Sequence, residues 1–193
     1  MTDATTGTFS DLYRGGRPMR QALSLVFSLV LGTCLASQAL ATSEKDLQVA
    51  TRALSFVSDL PPGSLDTAII YDAGNGASKS DADAIFAFLT ANPAAGKSKL
   101  VPRLLPAGDL SALAGAKIAF VADQTTAFLP AIAAEAKSKA VITVSSDRAC
   151  VEGGACVVGV SSAPRVEILV NKAAAEATGT SFGSAFLMLI KEI

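Results

Sequence analysis

Short apolar runs, each long enough for one strand, alternate in this chain with segments of helical periodicity. Strands are predicted at 67–71, 99–105, 117–122 and 140–145. Because strands that alternate with helices form a parallel sheet covered on both faces, the pattern predicts an α/β fold with a mostly parallel sheet and helices on both faces. A first helix is predicted from Ser43 to a point before Pro61. Further helices are predicted at 80–91, 124–139, 172–178 and 184–191.

The C-terminal part of the chain adds a pair of strands of a different kind. Residues 156–160 and 166–170 are mostly apolar, and only the segment 161–165, which begins Ser-Ser-Ala-Pro, joins them. A connection this short brings the second strand back beside the first, whereas parallel neighbours need a long crossover. We therefore expect an antiparallel hairpin at the C-terminal side of the sheet.

The N-terminus has the three parts of a secretory signal peptide. A stretch that contains arginines precedes the uncharged apolar segment 22–36, which is too short to span a bilayer. An A-x-A pattern then closes the segment and the chain turns polar, at Ala39, Ala41 and Thr42. This predicts a signal peptide at 1–41, cleavage between Ala41 and Thr42, and export to the periplasm.

Other interpretations of the N-terminus stay open. An uncleaved anchor is the alternative to cleavage, and translation from Met19 would give a more typical leader, which would make residues 1–18 a mis-called start. Cleavage removes Cys34 and leaves a mature chain, 42–193, of a size that suits a single domain. The formal net charge is −1 and no basic block appears, so the sequence predicts no nucleic-acid partner.

Cys150 and Cys156 are the two thiols of the predicted mature chain, and they flank a predicted Glu-Gly-Gly turn. A zinc site needs about four nitrogen or sulfur ligands, and this chain has no histidine. The spacing is not the C-x-x-C of redox enzymes. Because an exported protein can keep its thiols oxidised, we expect a disulfide between Cys150 and Cys156.

Two polar loops follow predicted parallel strands and are therefore expected at the same edge of the sheet. Gly74, Asn75 and Gly76 follow the first strand, and Ser146 and Arg148 follow the fourth. Such a place suits an anion or a partner, so these residues are a candidate partner or anion loop. The loop after the first strand matches neither the G-x-x-x-x-G-K-[ST] nor the G-x-G-x-x-G phosphate-binding motif. A plain turn capped by a serine is the alternative interpretation of this loop. No histidine is present to activate a serine, so no enzyme activity and no cofactor are predicted.

Three longer stretches resemble one family of small exported proteins. KLVPRLLPAGDLSALAGAKIAFVA has the order strand, short helix and L-A-G-x-x-I-x-F. AVITVSSDRACVEGGACVVGV resembles the pattern I-L-T-V-S-D … G-G-x-I-x-F, and RVEILVNKAAAEATGTSFGSAFLMLIK resembles a closing R-V-x-F-E-I-N segment. These are features of the YfiR/HmsC family, and the resemblance covers 67–193 well and 47–62 weakly.

The resemblance implies a periplasmic α/β regulator. Family members bind the periplasmic sensor region of an inner-membrane signalling protein, typically a diguanylate cyclase, and hold it inactive. This chain departs from the family in having Leu60-Pro61 in place of Trp-Pro, and Glu167-Ile168-Leu169-Val170-Asn171 in place of Glu-Ile-Asn. It also has cysteines for one disulfide where the best-known member has two.

A second hypothesis follows from export and the parallel sheet. A periplasmic small-solute binding protein that serves a transporter would share both properties, although a closing cleft usually needs two such domains. A homodimer, formed through the first helix or a sheet edge, is a further partner that the regulator hypothesis allows.

Overall fold

One eight-stranded sheet organises the part of the chain that the computed structural model describes, residues 42–193. The predicted leader 1–41, with Ala39 and Ala41 of the predicted cleavage site, lies outside the described residues. The strands are β1 Gly63–Tyr71, β2 Ala94–Ala95, β3 Ser98–Pro106, β4 Ile118–Val121, β5 Ile142–Ser145, β6 Val158–Ser161, β7 Glu167–Val170 and β8 Lys191–Glu192. The helices are α1 Glu44–Leu54, α2 Gly76–Ala91, α3 Leu129–Lys139, α4 Arg148–Glu152, α5 Lys172–Thr178 and α6 Ser184–Leu187, with 3-10 turns at Leu110–Leu113 and Thr126–Phe128.

The strand order is β2-β3-β1-β4-β5-β6-β7-β8. The five strands from β3 to β6 in this order run parallel, β7 is antiparallel to β6, and β2 is antiparallel to β3. The predicted α/β class, with a mostly parallel sheet and a C-terminal antiparallel hairpin, is therefore confirmed.

Both faces of the sheet are covered by helices, because the central strands are apolar on both faces. In β1, Ile69 packs in one core and its neighbours Ala68 and Ile70 pack in the other, and all three are inaccessible to solvent. The first core takes apolar side chains of α1, α2 and α6, and the second takes those of α3 and α4.

The path of the chain creates a crevice at the centre of the sheet. From β1 the chain passes through α2 to β3 on one side, and it then returns through the 3-10 turn at Leu110–Leu113 to β4 on the other side of β1. Doubly wound folds bind their ligands where the strand order reverses in this way, at the carboxyl ends of the strands. Here that place is the carboxyl edge between β1 and β4.

Several element boundaries differ from those predicted. Helix α2 begins at Gly76 rather than at Ser80, because Asn75 caps it. The segment around Cys150 is the short helix α4 rather than a glycine-rich turn, with Asp147 as its cap. Helix α3 begins at Leu129, since Pro130 lies in its first turn and lacks the N–H that an interior position needs.

No helix among residues 42–193 is both long enough and apolar enough to span a bilayer.

Candidate functional site

The carboxyl edge of the parallel strands carries the two loops predicted from the sequence. Gly74 to Gly76 follow β1, and Ser146 and Arg148 follow β5. Because β1, β4 and β5 are parallel neighbours, both loops lie at one edge, as expected. Within the described residues, the hydrogen bonds do not join one loop directly to the other.

Hydrogen bonds within the loop after β1 explain its conformation without a bound ligand. The Asn75 side chain accepts hydrogen bonds from the backbone N–H groups of Ala77 at 2.9 Å and Ser78 at 3.3 Å. The Asp72 carboxylate accepts one from the Gly74 N–H at 2.8 Å. These are the donors that an anion at the start of α2 would need. The arrangement favours the capped turn, and a role for Gly74, Asn75 and Gly76 in binding an anion or a partner stays a prediction.

Arg148 is already paired with carboxylates. Its Nε donates to Glu152 at 2.6 Å and its Nη1 donates to Glu167 at 3.2 Å. The hydrogen bond and charge of Glu152, with a smaller contribution from Glu167, raise the pKa of Arg148 above its ordinary value. Its positive charge is therefore balanced within the protein, which weakens the case for Arg148 as an anion receptor.

A cleft of about 530 Å³ opens beside Arg148, at the carboxyl ends of β4, β5 and β6. Gln124 lies at its rim with a backbone φ of 61°, a conformation that is uncommon for a residue other than glycine. The cleft has the volume of a small-molecule site. It is lined by Asp123, Gln124, Ser146, Asp147, Arg148, Gly159, Val160, Ser161, Ala163, Pro164, Glu167 and Leu169.

The N-terminal end of the described chain occupies the crevice at the carboxyl edge of the sheet, between β1 and β4. The backbone N–H of Thr42 donates to Oδ1 of Asp81 in α2 at 2.7 Å, and the Thr42 hydroxyl donates to Oδ2 at 3.0 Å. The same hydroxyl lies 2.7 Å from the hydroxyl of Ser146. The Asp123 N–H, just after β4, also donates to Oδ2 of Asp81, at 2.8 Å. Asp81 therefore joins α2, the end of β4 and the N-terminal segment.

The next residues continue this anchoring along the edge. Ser43 and Asp46 form a capping box at the start of α1, and Oδ1 of Asp46 accepts the N–H of Ser162 after β6 at 2.6 Å. Burial of Asp46 would by itself raise the pKa of its carboxyl, but hydrogen bonds from Ser43 and Ser162 outweigh burial and lower the pKa below 3.8. Asp46 is thus held ionised at the edge of the sheet.

The space left beneath this segment is small. A cavity bordered by Thr42, Leu47 and Ser146 has a volume of about 10 Å³. This is at or below the space that one water molecule needs. The place where related folds bind ligands is therefore filled by the chain itself. Sequence reasoning missed this contact, because the sequence of α2 gives no sign that Asp81 would bind a residue that lies 39 positions earlier.

A second surface feature lies on the face of the sheet covered by α1. The end of α1 and the C-terminal segment are held together by a bridge between Val57 and Phe182 and by stacked rings of Phe56 and Phe186, whose centroids are 4.8 Å apart. Beside them runs a depression of about 950 Å³, which we call the apolar groove. Its lining is mainly apolar and comprises Gln48, Val49, Thr51, Arg52, Ala53, Phe56, Phe88, Ala91, Asn92, Pro93, Ala94, Val166, Ile168, Phe186 and Leu189.

Large apolar side chains of this groove are exposed. Phe56 is 43% exposed, Val166 62% and Leu189 78%, and the adjacent Met188 is 81% exposed. Arg52 is the charged side chain in its lining. Scattered apolar residues are normal on a protein surface, but a contiguous patch of this kind marks a surface that meets a partner or a ligand.

The disulfide predicted from the sequence is present between Cys150 and Cys156, with an S–S distance of 2.03 Å. It ties α4 to the residues before β6. Both cysteines are inaccessible to solvent and pack in the second core. A reductant in solution cannot reach a bond at this depth without local opening, so the structure favours a structural role over a redox switch. Within residues 42–193, no three side chains of histidine, cysteine, aspartate or glutamate lie close enough together to hold a metal ion.

Comparison with protein families decides the relationship of this chain. The model of one family, described as YfiR/HmsC-like, matches residues 78–190, which is more than half of the sequence. The chain belongs to the YfiR/HmsC-like family. The match includes Asp81, Cys150, Cys156 and the C-terminal half of the apolar groove, whereas Thr42, α1 and all of β1 precede it. No curated protein matches the chain in sequence.

Solved structures place the YfiR/HmsC-like chain in a wider group of folds. A conserved domain protein from Vibrio cholerae O1 biovar El Tor shares 14% identity, with a TM-score of 0.56 over 77% of this chain and 59% of the other. An ABC domain in complex with L-Trp from Streptococcus pneumoniae shares 12% identity, with a TM-score of 0.56 over 78% and 60%. A ligand-free, open substrate-binding protein with adhesive properties from Clostridium difficile shares 13% identity, with a TM-score of 0.58 over 79% and 59%.

These likenesses establish the fold of the YfiR/HmsC-like chain and nothing of its ligand. The chain spans about three fifths of the length of each of these structures. Identity below 15% is too low to carry a binding site from one protein to another.

Proposed function

We propose that this protein is a periplasmic regulator that binds the periplasmic sensor region of an inner-membrane signalling protein, of the diguanylate-cyclase type, and restrains it. The observation that carries the proposal is the apolar groove, taken together with membership of the YfiR/HmsC-like family. A protein with this surface gains by covering it, since burial of apolar area is the main driving force of association. The proposal assigns the protein no catalytic reaction.

The chemistry of the groove describes the segment that would bind there. An apolar helix or loop would pack against the exposed side chains of Phe56, Val166 and Leu189. An acidic group beside that segment would pair with Arg52, which also lines the groove. Such a contact needs to bury roughly 800 Å² on each partner to be stable. Because the regulator binds one conformation of the sensor better than another, it shifts the sensor towards the restrained state. A second copy of this chain, as a homodimer, is the competing occupant of the same surface.

A small-solute binding protein associated with a transporter is the second candidate. The cleft of about 530 Å³ beside Arg148 favours it. Against it, the crevice at the strand-order reversal is filled by Thr42 and Asp81, and Arg148 is already paired. Thermal stabilisation by members of a metabolite library, lost in a Gln124→Ala variant at the rim of the cleft, would support this candidate.

The regulator proposal is tested in cells of the host. Deletion of the gene should raise cyclic-di-GMP, because the restraint on the cyclase is lost. The wild-type gene should restore the low level, whereas Leu189→Lys in the groove should not. Val101→Lys is the matched control, since Val101 is 47% exposed on β3 and does not line the groove. Unchanged cyclic-di-GMP after deletion would overturn the cyclase assignment, and full restoration by Leu189→Lys would overturn the role of the groove.

A further inference from the structure

Asp81 is a carboxylate buried inside the fold. It is 3% exposed, and it accepts hydrogen bonds from the N–H and hydroxyl of Thr42 and from the N–H of Asp123. The ion pairs formed within 42–193 do not include Asp81. A buried carboxylate is costly unless a positive charge compensates it. Two backbone N–H groups and one hydroxyl satisfy its hydrogen bonds, but among the described side chains no cation pairs with its charge.

The nitrogen closest to this carboxylate is the atom that leader removal would change. Thr42 follows the Ala39-x-Ala41 pattern, so cleavage there makes its backbone nitrogen the first atom of the mature chain. That nitrogen lies 2.7 Å from Oδ1 of Asp81. An α-amino group has a pKa near 8 in a free chain and is protonated at neutral pH. Cleavage would thus replace an amide by an ammonium group at hydrogen-bond distance from the buried carboxylate.

We infer that Asp81, in the crevice between α2 and the end of β4, is a binding site for a primary ammonium group, and that its ligand is the α-amino group of Thr42. Processing then creates an ion pair that the precursor lacks. The inference rests on export and cleavage of the leader, and it is independent of the partner and of the apolar groove.

The other ionisable groups near Thr42 favour a cation at this place. Glu44 borders a surface depression together with Thr42, and Asp46 bonds the adjacent Ser43. The cations on the same elements are engaged or turned outward: Lys79 pairs with Asp83, Arg148 with Glu152 and Glu167, and Lys45 is exposed in the first turn of α1.

The site also distinguishes threonine from most other first residues. The Thr42 hydroxyl gives its proton to Asp81, so the Ser146 hydroxyl, 2.7 Å away, donates to the Thr42 oxygen. This ordered chain of hydrogen bonds joins the end of β5 to α2 through the first residue. A first residue without a hydroxyl would leave both Ser146 and Asp81 with one partner fewer, which is unfavourable at a buried site.

The ion pair has a defined dependence on pH. A carboxylate neighbour favours the charged form of the amine, so the α-amino pKa in the folded protein lies above its value near 8 in the unfolded chain. The stabilisation is complete below pH about 8 and is lost as the pH rises through the folded pKa.

The test uses the full precursor, exported with its own leader and purified from the periplasm. Intact mass and N-terminal sequencing should give a chain that begins at Thr42. The rate of acetylation of the α-amine by acetic anhydride is then measured against pH, and the N-terminal peptide is read by mass spectrometry. In the folded wild type, the midpoint should lie at least about one pH unit above the value near 8 of a free amine.

Two variants separate the ion pair from simple shielding of the amine. Asp81→Asn keeps the shape and removes the charge, so its midpoint should return to about 8. Asp83→Asn, an exposed acid two residues further along α2, should leave the midpoint of the wild type unchanged. Thr42→Val should lower the melting temperature and keep the raised midpoint, because it removes only the hydroxyl.

Three results would overturn the inference. They are a mature chain that starts elsewhere than Thr42, a wild-type midpoint near 8, and equal raised midpoints in wild type and Asp81→Asn. If Asp81→Asn does not fold, the wild-type profile decides, because shielding lowers the acetylation rate at every pH, whereas a neighbouring carboxylate moves the midpoint upwards. The cyclic-di-GMP measurement is separate from all three, so failure here is distinguishable from failure of the proposed regulator function.

Discussion

Gly159 shows how a single residue sets the distance between two elements. It lies in β6, beneath α4, and a Cβ added to it would meet Cγ2 of Val151 at 2.5 Å. Val151 is inaccessible to solvent and branched, so it has little room to move away. The helix that carries Cys150 can approach the sheet this closely because no side chain stands at position 159.

We therefore expect Gly159→Ala to lower the free energy of unfolding by about 1–3 kcal/mol, the usual cost of overpacking. Gly76→Ala is the control, since nothing lies within 4 Å of a Cβ at that helical position. It should be neutral or slightly stabilising. Urea unfolding of the two variants compares them directly, and equal stabilities would show that α4 does not depend on close approach at Gly159.

Asp46 gives the N-terminal segment a dependence on acid. Its carboxyl has a lowered pKa in the folded protein, so the stabilisation from its ionised form is complete above the unfolded pKa near 4 and is lost as the pH falls through the folded pKa. Asp46→Asn should cost about 1–2 kcal/mol at neutral pH, because charge-assisted bonds to Ser43 and Ser162 are weakened.

The measurement is urea unfolding between pH 3 and pH 7. The wild type should lose stability towards the acid end more steeply than Asp46→Asn does. Glu44→Gln, an exposed acid in the same turn of α1, should follow the wild-type profile. Parallel profiles for wild type and Asp46→Asn would contradict the account of the capping box.

At the scale of elements, α4 and its disulfide stand out. The bond closes a short loop from α4 to the residues before β6, and the backbone N–H groups of Ala155 and Cys156 both donate to the carbonyl of Cys150. The helix is thus held by the sulfur bridge, by these hydrogen bonds and by its packing on Gly159.

Replacing both Cys150 and Cys156 by serine should lower the free energy of unfolding by at least about 2 kcal/mol, the chain-entropy value for a loop this short. Serine hydroxyls in an apolar core add to that loss. In the native wild type, the buried bond should resist a mild reductant until the protein is unfolded, which thiol labelling with mass spectrometry can follow. Rapid reduction without loss of structure would instead support a regulatory thiol pair.

The sequence predicted the larger elements because their signals are local. Strand β4 is a continuous apolar run, and the hairpin of β6 and β7 consists of two mostly apolar runs with a short connection. Strands β2 and β8 have two residues each, which is too short for any periodic signal. Helix α4 was missed because five residues between a serine-rich strand end and two glycines resemble a turn.

The candidate site was harder to predict than the fold. Its central contact joins Thr42 to Asp81 and Ser146, at separations of 39 and 104 residues. Asp81 lies in no recognisable motif, so only the strand order could bring it to the loop that contains Ser146. The same holds for the apolar groove, which α1, α2 and the C-terminal segment build jointly.

At the scale of the whole molecule, the crevice at the carboxyl edge and the apolar groove differ in whether they are open to a ligand. The crevice between β1 and β4 at the carboxyl edge, where doubly wound folds bind ligands, is closed by the N-terminal segment 42–46, which anchors α1, while the cleft beside Arg148 stays open. The opposite end of α1 contributes Phe56 to the exposed groove. A protein that closes its central ligand crevice and keeps a broad apolar surface open is suited to bind another protein.

The most direct test of that claim is affinity capture from detergent-solubilised membranes of the host. Tagged wild-type protein, Leu189→Lys and Val101→Lys are compared by mass spectrometry of the eluted proteins. We predict that the wild type and Val101→Lys recover a membrane protein with a periplasmic sensor region and a cyclase domain, and that Leu189→Lys recovers at least about tenfold less, as the loss of one well-buried apolar contact would produce. Equal recovery by all three proteins, or recovery of a transporter permease in place of the signalling protein, would contradict the account.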